Sequence, residues 1–234
     1  MTTWLQKLKT ELFSGWTPFE AFWLFLFLAA QIGAYIYAPD SVLGMISGIS
    51  GILCVVFVGK GKISNYLFGL IFAYTYFYIS LSQGFYGEMT TTLYVYIPAQ
   101  FIGYFLWKAN MQKATGTELI QARALSVVGW LTTLAIIVVG SAVFISILRY
   151  YGGNSTSLDG ISTVIVVVAQ VLMILRYREQ WILWIALNIV SIMLWITAEE
   201  PGGLSIVMMY VAYLLNSLYG YYNWTKLSKS SQLA

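Results

Sequence analysis

The chain has 234 residues, of which 59% are hydrophobic and 9% are charged, with a net charge of +3 and a mean hydropathy of +0.76. Soluble domains carry about 25% charged residues, so this composition predicts an integral membrane protein. The single cysteine, Cys54, excludes an internal disulfide framework, and the absence of histidine excludes histidine-based general-base catalysis, Ser-His-Asp triads and histidine-ligated metals.

Eight apolar runs follow an N-terminal segment, residues 1–20, which carries lysines and glutamates and is predicted to form a short interfacial helix. Each run is long and apolar enough to be read as a helix that spans a membrane. The predicted helices cover residues 21–38, 42–58, 63–81, 90–107, 126–148, 161–175, 181–197 and 204–224. A polar loop, residues 108–123, separates the fourth helix from the fifth.

The basic residues predict how these helices are oriented, because cytoplasmic loops carry an excess of lysine and arginine. With a cytoplasmic N-terminus and eight crossings, only Arg149 falls outside the cell. All the other basic residues fall inside: Lys7, Lys9, Lys60, Lys62, Lys108, Lys113, Arg123, Arg176, Arg178, Lys226 and Lys229. Acidic residues mark the outer ends of the helices instead: Asp40, Glu88, Asp159, Glu199 and Glu200. Both termini are therefore predicted to be cytoplasmic.

The second to fourth helices resemble the sixth to eighth as two copies of one unit. Tyr96, Gly103 and Trp107 each recur 117 residues later in the second copy, as Tyr213, Gly220 and Trp224. Both units start outside and finish inside, so they are parallel, and the fifth helix restores the direction. This 3+1+3 plan is that of SWEET-type transporters, whose substrate sites lie near mid-membrane at the repeat interface.

The predicted organisation therefore has five parts. An N-terminal segment with an extra transmembrane helix covers residues 1–40, and the first three-helix repeat covers 41–108. The cytoplasmic loop and the inverting helix cover 109–150, the second repeat covers 151–226, and a cytoplasmic tail covers 227–234.

The seventh helix carries a polar residue deep in an apolar run. Trp181, Trp184, Asn188, Ser191 and Trp195 are spaced by three or four residues and so share one helix face. At 1.5 Å per residue, Asn188 lies about 12 Å past Trp181, near the middle of a hydrocarbon core about 30 Å thick. An amide at this depth needs partners, so it either joins helices together or lines a site.

Two further amides are predicted at a similar depth. Asn216 in the eighth helix shares a face with Tyr213, and Gln100 lies in the fourth helix; Gln170 is a weaker candidate nearer the cytoplasm. Three amides at one level suggest a shared polar cavity. The alternative is that each amide is only an interhelical hydrogen-bond partner, while Trp107, Trp224 and Trp181 belong to the interfacial aromatic belt.

No acid or base is found near mid-membrane in any predicted helix, although a proton relay or ion pump normally needs one there. The absence of a central lysine also excludes a retinal Schiff base. Aromatic faces, amides and hydroxyls suit a flat, polar, neutral or weakly cationic molecule, held by stacking and cation–π contacts of roughly 0.5–2 kcal/mol each.

Three sequence motifs stand out: Trp181-x-x-Trp184-x-x-x-Asn188, Tyr213-x-x-Asn216-Ser-x-Tyr219-Gly220-Tyr221-x-x-Trp224 with a basic tail, and Gln100-x-x-Gly103-Tyr104-x-x-Trp107. Together they resemble the PnuC family of bacterial vitamin transporters over residues 47–226, with the first helix as an N-terminal addition. The resemblance implies a homotrimer of SWEET-like fold in the bacterial inner membrane. It also implies uptake of nicotinamide riboside by facilitated diffusion, with a cytoplasmic kinase that phosphorylates and traps the vitamin.

On this interpretation the protein is not an enzyme, and it needs no cofactor and no nucleic acid. Trp184 and Trp181 are predicted to stack on the substrate ring, and Tyr213 to form a supporting wall. Asn188, Gln100 and Asn216 are predicted to hydrogen-bond the substrate. Thiamine is the first alternative substrate, followed by riboflavin or a deoxynucleoside. A membrane enzyme or a non-transporting membrane subunit is the alternative of a different class.

Overall fold

A computed structural model describes residues 4–37, 42–82, 86–114, 117–150, 156–197 and 203–232. Within these ranges the chain forms ten α-helices, one π-helical segment and one β-hairpin. The α-helices are α1 Trp4–Phe13, α2 Pro18–Tyr37, α3 Val42–Gly59, α4 Asn65–Ser82, α5 Tyr86–Thr91, α6 Ile97–Lys108, α7 Val127–Tyr150, α8 Thr156–Ile174, α9 Gln180–Thr197 and α10 Gly203–Gln232. The π-helical segment is Thr92–Tyr96, and the strands are β1 Met111–Ala114 and β2 Thr117–Ile120.

The all-helical fold class is confirmed, and each predicted span coincides with helical structure to within a few residues, apart from a longer last helix. Among the described residues, three helices are long and apolar enough to cross a membrane, judged by length and composition alone: Pro18–Tyr37, Val42–Gly59 and Val127–Ile147. Shorter apolar helical stretches occupy residues Gly160–Ile174 and Gln180–Val190. Helix α10 continues to Gln232, beyond the predicted end at residue 224, because no proline or glycine interrupts the polar tail.

The predicted fourth helix is one continuous run but is built from three pieces, α5, the π-helical segment and α6. Pro98 lies in the first turn of α6 and has no backbone N–H to donate. The wider π turn directly before it is a change of hydrogen-bond register of the kind that breaks an otherwise regular helix. The sequence pattern does not predict it, since a five-residue π segment is too short to change the apolar periodicity visibly in so apolar a run.

The polar loop predicted at residues 108–123 contains the antiparallel β-hairpin, in which Met111 pairs with Ile120. Ile120 is only 2% exposed, and its N–H donates to the carbonyl of Gly61 at 3.0 Å. Arg123 exchanges two backbone hydrogen bonds with the turn that follows α8, at 2.7 and 2.9 Å. The segment is thus an ordered connection between two helix ends, because its backbone is bonded to both.

Two helix ends, those of α3 and α8, turn in the same way. After α3, the N–H of Lys62 bonds to Phe57 O, and Gly61 has a φ of 69°. After α8, the N–H of Tyr177 bonds to Leu172 O, and Arg176 has a φ of 68°. This left-handed residue is the usual end of a helix with a Schellman cap. Gly61 and Arg176 are 115 residues apart, so the two turns occupy equivalent places in the two predicted repeats.

Helix α1 is docked on the turn after α3. The ammonium group of Lys62 donates to the backbone carbonyls of Glu11 and, at 2.7 Å, Ser14. The carboxylate of Glu11 accepts hydrogen bonds from the backbone N–H and the hydroxyl of Ser64, both at 3.1 Å. A cation at the carboxyl end of a helix compensates its unpaired carbonyls, so this turn fixes where α1 ends. Burial lowers the pKa of Lys62 from 10.5 to about 8.

A buried ion pair fastens the start of α2 to the same turn. Lys60 lies 2.6 Å from the carboxylate of Glu20, and both side chains are almost fully buried. Tyr219 of α10 donates its hydroxyl hydrogen to the other oxygen of Glu20 at 2.6 Å. Lys60 also donates to the carbonyl of Gly15 and lies 4.6 Å from the ring of Trp16. The N-terminal addition is therefore joined to both the first repeat and α10 by charged contacts.

Candidate functional site

Asn188 lies in the middle of α9, where eight residues of helix separate it from the start at Gln180. It is 6% exposed, and its amide donates to the hydroxyl of Ser217 on α10 at 3.2 Å. Ser217 in turn donates to the backbone carbonyl of Tyr213 at 2.7 Å. The predicted amide is therefore buried and bonded to α10, the helix that carries the predicted site residues Tyr213 and Asn216.

Asn216 crosses between the two predicted repeats. Its side chain is 1% exposed and donates to the backbone carbonyl of Val55 on α3 at 3.0 Å. Gly59, one turn further along α3, lies beside this amide, where an added Cβ would be in ordinary van der Waals contact with it at 3.8 Å. Asn216 thus links α10 to α3 in the way expected of an interhelical amide, and it lies next to the partner of Asn188.

Tyr213 lies on α10 beside Asn216 and Ser217, which follow it by one helical turn. It packs against an apolar cluster that contains Phe27, Ile52 and Val56. Its hydroxyl oxygen lies close to the backbone of Gly51, where an added Cβ would be 3.0 Å from it. The ring therefore packs between α10 and α3, and the supporting role of Tyr213 in a substrate site stays a prediction.

Gln100 is buried on α6 at the junction with the π-helical segment. Its amide nitrogen donates to the carbonyl of Tyr96 at 3.2 Å, within its own helix. Its amide oxygen is buried and has no hydrogen-bond partner among the described residues. The amide lies against Gly69 of α4, where an added Cβ would also meet the sulfur of Cys54 at 3.1 Å. This unpaired acceptor can receive a hydrogen bond from a ligand.

The two predicted stacking residues differ in burial. Trp184 is half-buried and packs against two apolar clusters. Trp181 is 3% exposed and meets Trp224 edge-on, with ring centroids 6.1 Å apart. A Cβ at Gly220 would be 2.6 Å from the Trp181 ring, so the ring lies directly on this glycine. Trp184 is consequently the better placed of the two to present a ring face to a ligand.

The structure connects Asn188, Asn216 and Tyr213 through the short stretch of α10 that ends at Ser217. Gln100 belongs to a different pair of helices, α6 and α4. Cys54 lies near Gly69 and directly precedes Val55, whose carbonyl accepts the hydrogen bond from Asn216. The roles of Cys54 and Gly69 were not predicted from the sequence, since neither residue type signals a polar contact.

Other predicted positions are less informative. The weaker candidate, Gln170, is 5% exposed, and its amide lies 3.7 Å from the sulfur of Met173. The side chains of Ser191 and Trp195 lie outside the described part of the structure. A groove of about 660 Å³ lies on α7, away from the amides, and is lined by Ala142, Val143, Ser146, Ile147 and Tyr150.

The chain is similar to known proteins over most of its length. The family model described as "Nicotinamide mononucleotide transporter" matches residues 41–226. A Haemophilus influenzae protein named "Nicotinamide riboside transporter PnuC" is 64% identical over 95% of this chain and 96% of its own length. A Neisseria mucosa protein of the same name is 52% identical over 94% of this chain and 86% of its own length.

The chain is also similar to a protein of known structure. The "Crystal structure of the Vitamin B3 transporter PnuC" is 50% identical to this chain, superposes with a TM-score of 0.86, and covers 97% of this chain and 98% of that one. These relatives are transporters, so the expectation that the protein is not an enzyme is confirmed. The polar amides buried among aromatic rings lie within the matched region, and the chain belongs to the PnuC family of membrane transporters.

Proposed function

We propose that this protein takes up nicotinamide riboside across the bacterial inner membrane. The observation that carries the proposal is the 64% identity, over nearly the whole chain, to a relative named as a nicotinamide riboside transporter. The buried residues described above support it, since a carrier for a polar aromatic molecule needs amides and rings inside an apolar helix bundle.

The proposed site uses each group for one part of the substrate. Trp184, with Trp181 beside it, stacks on the pyridinium ring, where an aromatic face also favours a cation. Asn188, Asn216 and Gln100 hydrogen-bond the ribose hydroxyls and the carboxamide. The unpaired oxygen of Gln100 is an available acceptor, and binding there would satisfy an atom that is otherwise costly to bury. Tyr213 closes the wall.

The proposed mechanism is facilitated diffusion without a coupled ion. The sequences of α9 and α10 contain no Asp or Glu, and the proposed site uses amides, hydroxyls and rings, which offer no carboxylate for a proton or sodium ion. Net uptake then requires removal of the substrate on the cytoplasmic side. A cytoplasmic kinase that phosphorylates the vitamin supplies this, because a charged phosphate ester cannot return by the same route.

The proposed architecture has eight membrane-spanning helices in two parallel three-helix repeats, with α2 as an N-terminal addition and α7 as the inverting helix. The matching turns at Gly61 and Arg176 support the repeat. We further propose a SWEET-like arrangement with both termini in the cytoplasm, assembled as a homotrimer.

Calorimetric titration of the purified protein with nicotinamide riboside, thiamine and riboflavin tests the substrate directly. We expect saturable heat with nicotinamide riboside and none with riboflavin, whose larger ring system demands a wider site. Thiamine is the second candidate, because it is also an aromatic cation. Tighter binding of thiamine than of nicotinamide riboside would overturn the substrate assignment while leaving the transporter family intact.

A further inference from the structure

Four aromatic rings form a continuous row where the ends of five helices, α3, α4, α6, α8 and α9, meet α10. Tyr66 begins the row, with its ring 5.1 Å from that of Trp107; Trp107 lies 5.5 Å from Trp224, and Trp224 lies 6.1 Å from Trp181. All four side chains are at most 3% exposed. Tyr66 and Trp181 are in the first turns of α4 and α9, while Trp107 and Trp224 belong to α6 and α10. The row lies at the end of the bundle predicted to face the cytoplasm.

The two central tryptophans are bonded crosswise between the repeats. Trp107, at the end of the first repeat, donates its indole N–H to the carbonyl of Met173 in the second, at 3.1 Å. Trp224, at the end of the second repeat, donates to the carbonyl of Val58 in the first, at 2.8 Å. Each acceptor lies in the last turn of a helix, directly before one of the two left-handed turns. The row therefore ties each repeat to the other at one level.

Glycines allow the outer rings of the row to pack closely. The ring of Tyr66 lies on Gly103, and the ring of Trp181 lies on Gly220, in both cases one turn before a central tryptophan. The two pairs occupy equivalent places in the two repeats. This symmetry indicates that both repeats together form the row as a single structural unit, in place of two separate packing contacts.

Polar atoms around the row are buried without partners. Within the part of the chain that the structure describes, the hydroxyl of Tyr66 and the indole N–H of Trp181 have no hydrogen-bond partner. Both amide atoms of Gln180, which is 0% exposed, and the amide oxygen of Asn65 are also unpaired. If this end of the bundle stayed closed at all times, apolar residues at these positions would be more stable, because buried unpaired polar atoms are costly. These unpaired polar atoms lie together at the first turns of α4 and α9. Their grouping favours a second conformation of the protein in which they form hydrogen bonds.

We propose that this row, Tyr66–Trp107–Trp224–Trp181, is the cytoplasmic gate of the transport pathway, and that Gln180 contacts the substrate as it leaves. The proposal rests on the transport function proposed above. Opening breaks the two crossed indole hydrogen bonds and separates the repeats at this end. The amide of Gln180 then gains access to the ribose hydroxyls or carboxamide of the departing molecule.

Thiol labelling tests the gate without any substrate. In a Cys54→Ala background, Gln180→Cys reports access at the row, and Ser80→Cys, buried on α4 near its opposite end, reports access from the other side. Trp107→Phe or Trp224→Phe removes one crossed bond but keeps a ring. Each should speed labelling at position 180 from the cytoplasmic side by roughly three- to tenfold, the effect of one net hydrogen bond, without speeding it at position 80.

Trp23→Phe is the matched control, because the Trp23 indole N–H is buried without a partner and lies outside the row. It should leave both labelling rates unchanged. Equal acceleration at positions 80 and 180 by Trp107→Phe or Trp224→Phe would show general loosening of the bundle and would overturn the gate. Unchanged labelling at position 180 in both variants would overturn it as well.

Gln180→Leu provides a second variant that keeps side-chain size and removes the unpaired amide. We expect a higher midpoint of thermal unfolding, together with a several-fold slower exchange of labelled nicotinamide riboside in proteoliposomes and unchanged equilibrium binding. A more stable protein with unchanged exchange would show that Gln180 has no role in exit. If nicotinamide riboside proves to be the wrong substrate, the labelling results still decide whether the gate exists.

Discussion

Asn188 is the residue on which the proposed site depends most. Its amide donates to Ser217, so removal of the side chain takes away one of the two hydrogen bonds of that hydroxyl as well as a ligand contact. We expect Asn188→Ala to weaken nicotinamide riboside binding by about 1–3 kcal/mol, the typical cost of an unpaired buried group. Calorimetric titration of the purified variant measures this loss, and the amount of protein in the membrane should stay near normal.

Ser217→Ala is the matched control for Asn188→Ala. Ser217 connects Asn188 to the carbonyl of Tyr213, and both of its contacts are within the protein. If Asn188 only joins helices, the two variants lose thermal stability alike and bind substrate normally. That outcome would contradict the site assigned to Asn188 and would favour the interhelical role.

The residues of the site could be predicted from the sequence, but not their partners. Helical spacing placed Trp184 and Asn188 on one face, and the depth of Asn188 marked it as unusual. The acceptor of Asn216 is the carbonyl of Val55, a residue 161 positions away along the chain. Backbone carbonyls are present at every residue, so no sequence pattern distinguishes the one that a side chain will reach.

Among the structural elements, the docked helix α1 gives a prediction about pH. Burial holds the pKa of Lys62 at about 8, below its ordinary value of 10.5. Between these two values the unfolded chain binds more protons than the folded one, so Lys62 makes the protein more stable as the pH rises. Lys62→Met should abolish this contribution.

The measurement is the midpoint of thermal unfolding between pH 7 and pH 10. The wild-type midpoint should rise relative to that of Lys62→Met as the pH increases above 8. Lys229→Met, which removes an exposed lysine near the end of α10, should follow the wild type. Parallel curves for the wild type and Lys62→Met would contradict the burial of a charged Lys62 under α1.

The elements were predicted with unequal success, for physical reasons. Long apolar runs are read correctly as helices because the spacing and length leave no other regular structure. The hairpin at residues 111–120 depends on its bonding to the turn at Gly61, which is a tertiary contact. The π turn before Pro98 depends on how the backbone accommodates a missing donor, which apolar periodicity does not reveal.

At the scale of the whole molecule, the orientation of the helices is a prediction of the basic residues alone. In a Cys54→Ala background, a cysteine at Ser82, exposed at the end of α4, should react with an impermeant thiol reagent added to intact cells. A cysteine at Ser126, exposed just before α7, should react only after the cells are opened. The reverse pattern would contradict both the orientation and the parallel repeats.

The predicted organisation of the whole chain rests partly on a recurrence of residues. The recurrence of Gly103 and Trp107 as Gly220 and Trp224 predicts the repeat, which stays a prediction. In the structure each of these glycines lies against an aromatic ring, and each tryptophan donates to a carbonyl near the end of a helix. The crossed bonding of the two tryptophans could not be predicted. It depends on how the repeats face each other, while the sequence records only that the residues recur.

The central claim is that the protein equilibrates nicotinamide riboside across the membrane without a driving ion. An equilibrium carrier cannot concentrate its substrate by itself, since binding energy alone favours neither side of the membrane. The direct measurement is uptake of labelled nicotinamide riboside into proteoliposomes that contain only this protein, with and without imposed proton or sodium gradients.

We expect the label to reach equal concentrations on both sides and to stop there, whichever gradient is imposed. A membrane potential should change the end point only as far as the charge of the substrate requires. Enclosing a nicotinamide riboside kinase with ATP should produce accumulation of the phosphorylated product. Accumulation of unmodified nicotinamide riboside against its gradient, driven by protons or sodium without a kinase, would contradict the account.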